Sequence, residues 1–156
     1  MKRIFFLAAL LLTMVAPAHA QLNIKKVGEV PKQMAVLQLK WNWLYSIGES
    51  IYFVSATSNQ FDDLIWIKLG DTKTEAAESV KQLIATVDEI TEDDFLELND
   101  REGEQLYLRL YKAFGKRYGL SISSTKRAGE GYIYLPALKK ALQTLNKEMT
   151  LDAMRK

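Results

Sequence analysis

Between residues 34 and 46 the chain alternates, with Ala35, Leu37, Leu39, Trp41, Trp43 and Tyr45 at odd positions and Gln38, Lys40, Asn42 and Ser46 at even ones. A period of two over that length predicts a β-strand with one buried face. Gly48, Glu49 and Ser50 supply turn chemistry, and the β-branched and aromatic run 51–57 predicts a returning strand, so the two read as a hairpin. A polar loop containing Ser58, Asn59, Gln60, Asp62 and Asp63 leads to a nearly continuous apolar run over 64–69, a third strand ended by Gly70. A weaker edge strand over 24–30 precedes them and stops at Pro31.

The period then changes. Ala76, Val80, Leu83, Ile84 and Val87 share one face at helical spacing, and Thr72 followed three residues later by Glu75 fits a capping box at the helix start. Residues 95–98 fit either a short strand or one helical turn. After a turn over 99–103, Leu106, Leu108 and Leu110 alternate with Tyr107, Arg109 and Tyr111 as a strand. The chain turns back around Gly115, returns over 118–124, passes a polar loop with Lys126, Arg127 and Gly129, and makes a last strand over 132–135. Pro136 opens a second helix, where its missing N–H costs nothing, with Leu138, Ala141, Leu142 and Leu145 as its apolar stripe. Fraying is expected after Met149, with 151–156 as a loose tail.

Both halves thus read as strands followed by a helix. A gap-free shift lays Leu44 and Tyr45 on Leu110 and Tyr111, Tyr52 on Tyr118, Ser55 on Ser121, Ser58 on Ser124, Ile67 on Ile133 and Leu69 on Leu135, with Trp66 opposite Tyr132. The expectation is an internal duplication, with pseudo-repeats near 24–90 and 91–149. The fold class that follows is α+β: an antiparallel sheet built from two β-meander-plus-helix repeats, helices packed on one face.

The first twenty residues change the picture of destination and chemistry. Lys2 and Arg3, an apolar run over 4–16, and Ala18-His19-Ala20 before Gln21 form the basic, apolar and small-x-small regions of a signal peptide over 1–20. The apolar run falls short of the ~20 residues a membrane span needs. The expectation is an exported protein, periplasmic or secreted, with no membrane span after cleavage; Gln21 in place of cysteine makes it no lipoprotein. Cleavage would leave residues 21–150 as a single domain. It would also remove His19, the one histidine of a chain without cysteine, and with it the basis of most triads, thiol chemistry and zinc sites. The 21 Lys and Arg lose Lys2 and Arg3 and then match the 19 Asp and Glu. Charge is nevertheless segregated: 71–104 holds twelve acids against three bases, 105–156 eleven bases against three acids, which predicts a charge dipole.

Acid–base chemistry would fall to carboxylates. Asp62-Asp63 and Asp93-Asp94 are adjacent pairs, unlike the facing acids about 5 to 9 Å apart of a glycosidase, and read as a solvated loop and a capping segment. Ser123 and Lys126 have a Ser-x-x-Lys spacing, but the serine ends a predicted strand rather than starting a helix. No calcium loop, phosphate-cradling loop or dinucleotide fingerprint is present, and no cofactor or metal is expected. The aromatics Trp41, Trp43, Tyr45 and Trp66 read as core if covered, which Leu37 and Leu39 on the same face favour, or as a stacking surface if exposed. Arg109, Lys112, Lys116, Arg117, Lys126 and Arg127 interleave with Tyr107, Tyr111, Phe114 and Tyr118, a mixture suited to nucleic acid that export argues against. The expected function is binding rather than catalysis: a protein-partner or inhibitor-type surface carried by Trp41, Trp43, Tyr45, Trp66, Tyr107, Arg109 and Tyr111, with a carbohydrate-binding module or a carboxylate-based hydrolase as alternatives. Expected partners are another protein, a glycan, or a second copy in a homodimer, and not nucleic acid.

Overall fold

A computed structural model describes residues 28–37, 41–58 and 64–155. Its elements are β1 (Lys32–Val36), β2 (Asn42–Ile47), β3 (Ser50–Ala56), β4 (Leu64–Gly70), α1 (Lys73–Glu89), β5 (Leu96–Asn99), β6 (Gln105–Ala113), β7 (Lys116–Ser124), β8 (Gly131–Tyr134) and α2 (Leu135–Met154). The strands form two four-stranded antiparallel meanders, β1-β2-β3-β4 and β5-β6-β7-β8, each followed by one helix, so the class is α+β. They do not merge into one ladder: where β4 and β5 approach, one backbone bond from Arg101 N–H to the Trp66 carbonyl (2.9 Å) joins them.

The helix starts follow from sequence. Thr72 accepts the Glu75 N–H and the Glu75 carboxylate accepts the Thr72 N–H, the full capping box, while Pro136 occupies the first turn of α2. α1 buries Ala76, Ala77, Val80 and Val87, and α2 buries Ala137, Leu138, Ala141 and Leu145. The helices pack on each other, α1 also on β3, β4 and β7, and α2 on β7 and β8. One apolar cluster, with Leu44, Phe53, Ile65, Leu106, Leu120, Ile122 and Ile133 among its members, draws on both sheets and both helices. α2 runs past the point where fraying was expected, to Met154. Lys73 holds that end by pairing with Asp152 (2.6 Å) and Glu148 (3.4 Å).

The alternating run 34–46 is not one strand. β1 and β2 pair antiparallel, Lys32 opposite Ser46 and Val36 opposite Trp43, so the chain reverses within the run; Leu39 lies outside the described residues. In β2 the buried positions are even, Asn42 and Leu44, and the odd Trp43 and Tyr45 lie on the other face. A uniform period two carries no mark of a reversal, and a reversal resets which parity faces the core. The edge strand expected over 24–30 is absent from 28–30, and 24–27 lie outside the described residues.

The β6–β7 hairpin closes through Phe114 (φ 52°) and Gly115 (φ 72°), with Ala113 opposite Lys116. Two consecutive positive φ values define a type I′ turn, whose twist suits a two-residue hairpin. Glycine takes this conformation freely, whereas a phenylalanine there costs roughly 1–2 kcal/mol.

The junction between the sheets rests on side chains standing in for strands. β8 is an edge strand, and its backbone meets the core-facing side chains of β2 and β3. Asn42 Nδ2 donates to the Tyr132 carbonyl (2.7 Å) and Oδ1 accepts the Tyr134 N–H (3.1 Å), the two bonds an adjoining strand residue would make around Ile133. Ser55 Oγ accepts the Tyr132 N–H (3.1 Å) and donates to its carbonyl (2.9 Å). Thr57 pairs with Gly131, Ser58 N–H donates to the Glu130 carbonyl, and Glu130 N–H donates to Ser58 Oγ, extending the contact. Asn42→Ala would strand the Tyr134 N–H at about 1–3 kcal/mol, take one of the two donors from the Tyr132 carbonyl, which keeps Ser55, and leave a small cavity in the seam. Urea unfolding should show a loss of about 2–4 kcal/mol, and a loss within error of zero would refute this account of the seam.

Candidate interaction surface

On the face of each sheet turned away from the core cluster, aromatic rings stand in cross-strand rows. In the first sheet Tyr45 is opposite Tyr52, itself opposite Lys68, and Trp43 is opposite Val54, itself opposite Trp66. Ring centroids lie 5.4 Å apart for Tyr45 and Trp66 and 5.9 Å for Tyr52 and Trp66. Val54 is fully buried beneath this layer, which is therefore a thin packed shell with an outward surface. Arg101, in the β5–β6 turn, lays its guanidinium 5.6 Å from the Trp66 ring and 5.7 Å from that of Tyr52.

In the second sheet Tyr107, Arg109 and Tyr111 share the face of β6 opposite Leu106, Leu108 and Leu110. Arg109 sits 4.4 Å over the Phe95 ring, which packs at 5.2 Å on Tyr107. Beside them Tyr111, Tyr118, Tyr132 and Tyr134 form a cluster with centroid separations of 4.8 to 6.1 Å. Gly119 makes room for it: paired between Tyr111 and Tyr134, it approaches Ile133 so closely that a Cβ would lie 1.9 Å from that carbonyl oxygen. Burial raises the Tyr132 and Tyr134 phenols above their ordinary range, and the bond Tyr132 donates to Glu130 raises its own further.

Of the seven residues singled out by sequence, Trp43, Tyr45 and Trp66 come together on the first sheet and Tyr107, Arg109 and Tyr111 on the second. The core reading of Trp43 and Tyr45 is corrected, since both lie on the outward face, half-buried, with Tyr45 packed on the Trp66 ring. Trp41 stands apart at 51% exposure just before β2. Tyr52, Phe95, Arg101 and Tyr134 were not singled out. Tyr134 was legible as the second tyrosine of a period-two pair around Ile133, but Arg101 left no local signal, because its partners lie more than thirty residues away in sequence.

Three basic residues of the second half, Lys112, Arg117 and Arg127, engage the segment that holds the acids. Arg127, with its side chain 15% exposed, donates to Asp100 (2.5 Å), Glu104 (3.0 Å) and the Leu64 carbonyl (2.5 Å). Asp100 Oδ1 accepts the Glu102 and Glu104 N–H groups, and Ser124 donates to the other Glu104 oxygen. Arg117 bonds the Val87 and Ile90 carbonyls at the end of α1, and Lys112 pairs with Glu92. Lys112, Arg117 and Arg127 are thus engaged within the fold, and the expected mixed basic-aromatic stretch is not one open basic surface.

A cleft of about 480 Å³ borders Asp100, Glu104 and Arg127. Both carboxylate oxygens of Asp100 and of Glu104 accept a bond from a protein donor, while Glu102, which also lines the cleft, is exposed. Asp94 accepts the Thr91 N–H in a turn, not at a helix start, and this bond holds its carboxyl below the usual range. Ser123 lies within β7 and Lys126 beyond it in the following loop. Asp62 and Asp63 lie outside the described residues. Among the described residues no group of three or more His, Asp or Glu is placed to hold a metal ion, and no helix is long and apolar enough to cross a membrane. Comparison with protein-family models, curated proteins and solved structures finds no match to this chain.

Arg127→Ala would leave two buried carboxylates facing each other uncompensated, and a loss of about 3–5 kcal/mol in chemical unfolding is expected; an unfolding midpoint like the wild type's would show that the cluster contributes little. The raised phenols add a pH dependence. An unfolded tyrosine ionises near 10.0, while folded Tyr132 and Tyr134 still hold their protons there. Stability from this source is complete below pH 10 and falls as pH climbs through the raised values. Absorbance titration at 295 nm should resolve late-ionising phenols that shift to ordinary values on unfolding, and one uniform transition near 10 would contradict it.

Proposed function

We propose that this is an exported binding protein whose outward sheet faces engage a protein partner. The observation that carries the reading is the aromatic layer of Tyr45, Tyr52, Trp66, Phe95 and Tyr107, with Arg101 and Arg109 stacked over its rings. Tyrosine, tryptophan and arginine are the residues enriched at energetic centres of protein interfaces, because they bury large area with little rotamer entropy to lose. These rings stand on paired strands, so their positions are fixed before any partner arrives. Export is supported by the leader-like residues 1–20, and action by binding by the ring positions that the paired strands hold.

The half-exposed Trp41 favours a second reading, stacking on a sugar ring, since a free indole face is what such stacking uses. The readings separate by experiment. Immobilised protein is used to capture partners from envelope and culture-fluid fractions, in parallel with Arg109→Ala and Tyr107→Ala. Each face variant should retain the captured protein about tenfold less well. Equal retention by wild type and both variants would refute the face reading, and quenching of Trp41 fluorescence by a glycan would favour the sugar.

A further inference from the structure

We infer that Phe114, at the tip of the β6–β7 hairpin, is the anchor by which this protein keys into an apolar pocket of its protein partner, an inference that rests on the face reading above. Phe114 is fully exposed. It also occupies a left-handed backbone position at φ 52°, where asparagine or glycine would close the same turn with less strain. Tyr45, Tyr52, Trp66, Phe95, Tyr107 and the tyrosine cluster each contact another ring; Phe114, Trp41 and Trp43 have no ring or cation–π contact among the described residues, and of these three Phe114 alone is fully exposed and at positive φ. The fold thus carries backbone strain and an exposed phenyl ring at one residue, and gains no packing there in return. Strain that local structure does not repay is a mark of a residue used elsewhere.

The setting of the tip argues for a protein pocket rather than a lipid surface. Three cations flank it, but Lys112 is paired with Glu92 and Arg117 is held by the Val87 and Ile90 carbonyls, while Asp88, Glu89 and Asp93 are exposed in the same stretch of chain. Such a mixed-sign collar gives no net attraction to an anionic bilayer. It suits a partner with an apolar pocket for one phenyl ring and a carboxylate within reach of Lys116. The hairpin is continuous with the face: Tyr111 and Tyr118, each one residue from the paired Lys112 and Arg117, belong to the tyrosine cluster. A rigid ring at the tip and a flat aromatic face behind it form the anchor-and-surround arrangement in which a few residues dominate affinity.

The test uses the processed, exported protein with Phe114→Asn and Phe114→Leu. Asparagine accepts the turn conformation and removes the ring, so Phe114→Asn should fold, raise Tm by about 2–5 °C and retain the captured partner at least about tenfold less well. Leucine keeps an apolar side chain and the strain, so Phe114→Leu should leave Tm near wild type and retain the partner at an intermediate level. A fall in Tm for Phe114→Asn would overturn the inference by giving the ring a folding role. Undiminished retention by Phe114→Asn, alongside loss in Arg109→Ala and Tyr107→Ala, would overturn the anchor and leave the face standing. Undiminished retention by all variants, or capture of nothing by wild type, would overturn both. Sedimentation of wild type, but not Phe114→Asn, with vesicles of mixed phosphatidylcholine and phosphatidylglycerol, with partner retention unchanged, would assign the tip to lipid and also overturn the anchor.

Discussion

Two open sheets in one small molecule leave strand edges whose backbone groups must be satisfied wherever water is excluded, and a buried N–H or C=O without a partner costs as much as a lost hydrogen bond. This chain meets the requirement with side chains. Asn42 and Ser55 bond the β8 edge, and Arg101 N–H and the Arg127 guanidinium reach the Trp66 and Leu64 carbonyls of β4. Ser79 Oγ donates to the Leu69 carbonyl at the far end of the same strand. The shared core is set between these seams, and its position depends on them.

The charge pattern takes its meaning from the same constraint. Arg127 can reach the β4 edge because Asp100 and Glu104 neutralise it, and those acids are in turn fixed by backbone N–H groups and Ser124. Buried ion groups of this kind are stable only when every oxygen and every N–H in contact is used. Acidic turn and basic loop are therefore two halves of one fastening. On the outward sheet faces aromatic rings stand in rows, with arginines that lie over them.

Much of the architecture was legible locally. The box at Thr72 and Glu75, Pro136 at the second helix and the alternation of residues 106–111 specify elements through contacts within a few residues, so pattern alone finds them. The outward tyrosines of β6 follow from the same alternation. The chain reversal inside 34–46 was not legible, because strands on either side of a turn share one period and nothing local says where the parity resets.

Sequence by itself determined most of the strands and both helices, the strands-then-helix order of each half, and the absence of thiol chemistry. Those properties depend on composition and on neighbours along the chain. The tertiary structure alone decided that the strands divide into two sheets, that Asn42 and Arg127 act as surrogate strand partners, and that Trp43 and Tyr45 face outward. These outcomes depend on pairs such as Asn42 with Tyr134 and Arg127 with Leu64, separated by 92 and 63 residues, whose encounter no local pattern encodes.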